Sequence, residues 1–181
     1  MNAILYFLRS TEQKIATSFL PYAKGLDVFG KTLEDFPQLN IYEKHYGFTS
    51  RDLGLYAMVE HEVAGAAWIR MLSEGSTSSA YINEDIPVLS LGVKPEFRGQ
   101  GIATAMLEQL IIEAGALFDN ISVAVNADTA KFYERFGFVK VEGSDKKSKI
   151  DSSDIFIMKK ELEQKAVVRP SDGYDPTRWM D

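Results

Sequence analysis

Apolar residues in this chain recur with two different periods. Short β-rich runs occupy residues 3–9 (AILYFLR), 53–60 (LGLYAMVE) and 63–72 (VAGAAWIRML), with His61-Glu62 as the turn of a hairpin between the last two. Residues 88–93 (VLSLGV) are apolar almost without interruption, which suits a strand buried on both faces. Residues 120–125, 138–141 and 154–160 read as three further strands. Helical spacing appears after Thr11, where Ser10 or Thr11 serves as N-cap and Ile15, Ser18, Phe19 and Tyr22 share one face up to Lys24-Gly25. It returns over residues 35–46, with Leu39, Tyr42 and Tyr46 on one side, and again from Gly101, with Ile102, Ala105, Met106, Gln109, Leu110 and Glu113 in register. Residues 128–136 form a short helix that Gly137 ends. Residues 73–80 and 143–153 are polar loops. Gly54 and Gly65, inside strands, mark bulges or close backbone approach.

Composition narrows the class. A chain of 181 residues that is 45% hydrophobic can build one real core. The formal charge of −6 and pI near 5.0 argue against a general nucleic-acid binder. There is no cysteine, which removes disulfides, thiolate metal sites and a cysteine nucleophile and fits a reducing, cytoplasmic setting. His45 and His61 are the only histidines, so a histidine-rich metal site is not expected. Arg9 interrupts the first apolar run, no basic n-region precedes it, and no run approaches the ~20 residues that span a bilayer. The expectation is a soluble protein with no membrane and no nucleic-acid partner.

The chemistry concentrates where residues 88–93 meet the helix from Gly101. Pro95 ends the strand, because proline offers no donor to a ladder. Gly99 and Gly101 let the backbone turn tightly and let a ligand come close. The first turn of a helix carries N–H groups without intrahelical partners and a partial positive charge, so it attracts anions. Arg98 adds a guanidinium and Thr104 a hydroxyl. Arg98-Gly99-Gln100-Gly101-Ile102-Ala103 therefore reads as a diphosphate cradle, or equally, on spacing alone, as an ordinary glycine-rich turn. It is not the nucleotide-triphosphatase loop, which needs Gly-x4-Gly-Lys-Ser/Thr. The dinucleotide fingerprint also fails, with Thr104 at its third glycine position.

What remains is Arg-x-x-Gly-x-Ala after an apolar strand ending in Val-x-Pro, and this resembles the acetyl-coenzyme A loop of the GCN5-related N-acetyltransferase (GNAT) superfamily. A second element agrees: Asn126, Ala130, Tyr133, Gly137 and Phe138 are similar to that family's Asn-x3-Ala-x2-Tyr-x3-Gly-Phe. The two motifs cover residues 88–138. The resemblance implies a mixed α/β fold, a twisted sheet of about seven strands with helices on both faces. It implies acetyl-CoA as co-substrate, no metal, and a cleft where parallel strands 88–93 and 121–125 splay apart. Gly92 would sit at a bulge that starts the splay, and the backbones of Leu91 and Val93 would pair with the pantetheine amides. Arg98, Gly99, Gln100, Gly101, Ile102, Ala103 and Thr104 would hold the diphosphate. Lys131 and Arg135 would face the adenosine side, Asn126 the pantetheine arm, and Tyr133 would protonate the departing thiolate. Phe132, Phe136 and Phe138 are assigned to packing.

The resemblance further implies attack of an amine on the thioester, aided by a base. The family's strand glutamate is missing: Pro87, Val88, Leu89 and Ser90 stand there. Asp85 and Glu84 are the nearest acids, Asp85 being the candidate base, with Glu60, His61, Glu62 and Tyr81 further off. Water or an amine that arrives neutral could replace them. The acceptor, a small molecule or a peptide amine, would be chosen by residues 20–50, rich in aromatics (Phe29, Phe36, Tyr42, His45, Tyr46, Phe48). A non-catalytic acyl-CoA-binding regulatory module is the alternative, and a homodimer is compatible with the sequence. Residues 1–160 form the transferase domain in this reading. Residues 161–181 extend beyond it, with Tyr174, Trp179 and Met180 suited to docking on this or another subunit.

Overall fold

The computed structural model describes residues 2–73 and 78–164. The elements follow in the order β1 (Ile4–Phe7), α1 (Gln13–Ala23), β2 (Leu53–Val59), β3 (Glu62–Arg70), β4 (Val88–Val93), α2 (Ile102–Ala114), β5 (Asn120–Val125), α3 (Ala127–Glu134), β6 (Val139–Lys140), β7 (Lys146–Lys147) and β8 (Asp154–Glu161). Short 3-10 turns occupy Ser10–Glu12, Leu26–Phe29, Leu33–Asp35, Pro37–Tyr42 and Pro95–Phe97. One eight-stranded sheet runs β1-β2-β3-β4-β5-β8-β6, with β7 on β8. Every pairing is antiparallel except β4 with β5.

The sheet separates two cores. On one face Leu55, Ala57, Ile69, Leu89 and Val93 pack under α2 through Met106, Leu107 and Leu110. On the other, Ala66, Trp68 and Val88 meet α1 and the following turns through Phe19, Leu20, Leu26 and Tyr42. A strand serving both cores must be apolar at successive positions, and residues 64–69 of β3 are all buried. Gly54 lies opposite Trp68, where a Cβ would come within 2.8 Å of the Trp68 Cβ. An ion pair fastens the crossing segment to this frame: Arg70 reaches Asp52 at 3.2 Å and donates to the carbonyls of Ile41 and Lys44.

Three expectations change. The helix anticipated over residues 35–46 is instead the pair of 3-10 turns around Phe36, whose φ of −137° and ψ of 67° are non-helical. The cause is Pro37, which crowds the helical conformation of the residue before it. The polar loop 143–153 contributes β7, so the sheet gains a strand. Finally, the register of β4 on β3 is unbroken from Val88 to Val93, so Gly92 marks no bulge; the irregularity lies between β2 and β3, where Ala57 pairs with Gly65 and Met58 with Val63, so that Ala64 of β3 is the extra residue beside Gly65. Gly92 instead admits α1, since a Cβ there would meet Ala23 N at 2.7 Å and Phe19 O at 2.8 Å. β8 runs through Glu161, and Leu162 is buried. The docking expectation for Tyr174, Trp179 and Met180 lies outside the described residues. No helix among the described residues is long and apolar enough to cross a membrane.

Candidate active site

β4 and β5 share a single register pair, Val88 with Ser122, closed by the Ser122 N–H donating to the Pro87 carbonyl at 3.0 Å. Beyond that pair each strand stays fully held on its outer side, β4 by β3 and β5 by β8. The two therefore diverge as a V. Backbone groups alternate edges along a strand. Pro87 O faces β5, Lys94 N faces β3 by donating to Ala64 O at 2.9 Å, and Val93 O faces β5, where Arg98 Nε donates to it at 3.0 Å. By that alternation the Leu91 amide and carbonyl and the Val93 N–H line the open edge.

The V opens onto the junction that the sequence singled out. Lys94 to Phe97 make a 3-10 turn, Gly99 and Gly101 take φ of +75° and +80°, and α2 starts at Ile102. Only glycine adopts these angles without strain. A Cβ on either glycine would meet nothing within 4 Å, so the space before them is open. No side chain caps α2 and its first turn holds no acid. The N–H groups of Ile102, Ala103 and Thr104 thus keep the orphan character of a helix start. Ile102 is buried and anchors the turn, while Gln100 is exposed, its amide 3.4 Å from Glu96 O.

Arg98 is more constrained than its sequence position suggests. Besides Val93 O, its guanidinium reaches Asp27 Oδ2 at 3.1 Å, tying the loop to the turn after α1. The inner edge of the fork is thereby occupied and the outer edge stays partly exposed. Asp27 was not anticipated, because no spacing signal links residues so far apart.

The second motif lies at the same open end, after β5. Asn126 caps α3, its side-chain oxygen accepting from Thr129 N at 2.9 Å, which leaves its amide nitrogen to donate. Tyr133 is 7% exposed and packs edge-on to Phe132 and Phe138 at 5.1 and 5.3 Å. Burial pushes its phenol above the ordinary value. Lys131 and Arg135 are exposed, Arg135 stacking over Phe132.

The acids are less well placed. Asp85 and Glu84 are exposed and precede Val88, past the closed end of the V. Leu91 alone is ~10 Å of strand further on. Glu60, His61 and Glu62 are exposed at the β2–β3 turn beside Phe97, with Glu62 paired to Lys94 at 2.9 Å. The structure brings together Leu91, Gly92, Val93, the loop 98–104, Asn126 and Tyr133, and leaves Asp85 apart.

Residues 52–140 match the acetyltransferase (GNAT) domain family. That segment is a GNAT acetyltransferase domain. A GNAT-family acetyltransferase from Streptococcus pneumoniae has the same fold, at TM-score 0.64 and 17% identity over 89% of this chain and 99% of that one. An N-acetyltransferase from Staphylococcus aureus Mu50 superposes at TM-score 0.65 with 15% identity, over 90% and 100% of the two chains. A GNAT phosphinothricin acetyltransferase from Sinorhizobium meliloti, solved in complex with acetyl-CoA, gives TM-score 0.63 and 20% identity over 92% of each chain. No curated protein matches the sequence. The parted strands and glycine turn of this GNAT domain thus sit within a fold whose relatives are acetyltransferases.

Proposed function

We propose that this chain is an acetyl-CoA-dependent N-acetyltransferase. The observation that carries the reading is the V between β4 and β5, which exposes the backbone edge at Leu91 and Val93 and ends at the uncapped start of α2. An extended amide-bearing chain can pair with that edge as an added strand does. A diphosphate suits the N–H groups of residues 99–104 and the outer edge of Arg98. The Asn126 amide nitrogen would hold the pantetheine arm.

In the reaction the acceptor nitrogen bonds to the thioester carbon and the C–S bond breaks. Negative charge develops on the carbonyl oxygen, where a strand N–H such as that of Val93 stabilises it. Tyr133, kept protonated by burial, donates to the departing sulfur. An alkyl amine has a pKa near 10 and must shed a proton first. Asp85 has no direct route to the open end of the V, so we assign that proton to water, or to loss before the amine binds. The rate with a simple amine would then rise with pH toward the amine's own pKa.

The missing carboxylate on β4 favours one second reading, a module that binds acyl-CoA without turnover. A calorimetric titration with acetyl-CoA, with NADH as comparison, followed by an amine panel scored for coenzyme A release, separates the cases. Saturable binding with release supports the transferase, and binding without release supports the module. A folded sample that ignores millimolar acetyl-CoA overturns both.

A further inference from the structure

Among the described residues Ser90 and Ser122 are the only buried polar side chains that are not aromatic. Both stand on the α1 face of the sheet, by the alternation that puts Val88 in the α1-side core and Leu89 and Ile121 in the other. Ser122 is satisfied: its hydroxyl donates to Ala80 O at 2.8 Å, beside the closed end of the V. Ser90 is 3% exposed and its Oγ has no hydrogen-bond partner.

A buried hydroxyl without a partner costs about 1–3 kcal/mol. Nothing in the packing requires it, since Ala66 on β3 and Ala124 on β5 lie on the same face. Its cross-strand neighbour cannot supply the bond. Trp68 has a single donor, and that donor is engaged with Tyr42 O at 2.7 Å. Ser90 lies two residues past Val88, the last residue of β4 that pairs with β5, next to the free edge of Leu91. Ala124, partly exposed, leaves room on the β5 side. Ser90 is also the only polar side chain of β4.

We propose that Ser90 is the acceptor-positioning hydroxyl of this enzyme, an inference that rests on the transferase reading above. In this proposal the diphosphate lies at the start of α2, which packs on the opposite face, and the amine reaches the thioester from the α1 side of the sheet, where Ser90 stands. Rotation about χ1 between staggered wells turns the hydroxyl toward the filled cleft. There its oxygen accepts a hydrogen bond from the amine N–H and aims the lone pair at the thioester carbon. As the N–C bond forms and the C–S bond breaks, the surplus amine proton leaves to water and the sulfur takes one from Tyr133, which solvent restores. Ser90 itself is neither acylated nor ionised.

The test compares wild type, Ser90→Ala and Ser90→Thr with acetyl-CoA and a fixed panel of a polyamine, free amino acids and a peptide with an N-terminal amine. For Ser90→Ala we expect no loss of thermal stability, an acetyl-CoA Kd within about twofold of wild type, and kcat/KM for the amine lower by about tenfold or more, as misplacement of a reactant produces. Ser90→Thr, which keeps the hydroxyl, should recover most of that loss. Wild-type turnover by Ser90→Ala overturns the assignment and leaves the transferase intact. Loss of acetyl-CoA affinity in step with turnover also overturns it, as would equal losses in Ser90→Ala and a folded Ser90→Thr. Wild type that binds acetyl-CoA yet acetylates no amine removes the transferase reading, and Ser90's role with it.

Discussion

The Arg98 guanidinium and the Asp27 carboxylate meet at 3.1 Å, with Arg98 also donating to Val93 O, so one side chain joins the turn after α1, the end of β4 and the glycine loop. The pair is part-exposed, and such pairs contribute about 0.2–1 kcal/mol. Asp27→Asn should therefore lower stability by no more than about 1 kcal/mol in urea denaturation. Arg98→Ala should weaken acetyl-CoA by about tenfold, the worth of one charge-assisted contact. If Asp27→Asn weakens acetyl-CoA as much as Arg98→Ala, the guanidinium serves only to hold Asp27 and does not touch phosphate.

Gly101 and Gly143 make a matched pair of probes. Both have positive φ, +80° and +77°, and a Cβ added at either would meet no atom within 4 Å. Alanine at either position should cost about 1–2 kcal/mol of backbone strain. Only Gly101→Ala places a methyl group before the first turn of α2. Calorimetry should show acetyl-CoA affinity falling for Gly101→Ala and unchanged for Gly143→Ala; equal affinities would move the diphosphate elsewhere.

Gly92→Ala tests packing in place of φ. Its Cβ would collide with Ala23 N and Phe19 O, both main-chain atoms of α1 that cannot swing aside. We expect a loss of about 1–3 kcal/mol, as for overpacked cores. A lower urea midpoint with an unchanged m-value would show it. A neutral result would mean that α1 rides loosely over β4.

Alkaline pH probes two of the buried phenols. Burial raises both Tyr46 and Tyr133 above the ordinary value, with Asp52 adding to the effect at Tyr46. An unfolded tyrosine ionises near pH 10. Above that pH the folded state binds more protons than the unfolded one, so stability is full below about pH 10 and falls as pH rises further. The slope should reach about 1.4 kcal/mol per pH unit for each tyrosine. Tyr133→Phe should remove one share of that slope while losing turnover. Full turnover by Tyr133→Phe would end its role as the acid.

Much of this was legible along the chain. The unbroken apolar run at residues 88–93, Pro95, and the glycines at 99 and 101 announced the strand, turn and helix, because burial on two faces and positive φ each restrict residue type. The helix expected at 35–46 failed for a local reason, the effect of Pro37 on Phe36, which periodicity does not register. β7 was missed because two lysines forming a short outer ladder carry no apolar signal. The base expected at Asp85 could not be tested by spacing, since closeness in sequence to β4 does not say which end of the V is open.

By itself the sequence determined the elements of the site and their order, since hydrogen-bond accounting and side-chain period act within a few residues. It also determined the glycine turn and the tyrosine of the second motif. The tertiary structure decided what those elements face. Only the sheet shows that β4 and β5 part after Val88 and Ser122, because each is held by a different antiparallel neighbour. Only the fold brings Asp27 to Arg98 and leaves Ser90 Oγ buried with no partner. Those relations depend on contacts between distant segments, and no local pattern encodes them.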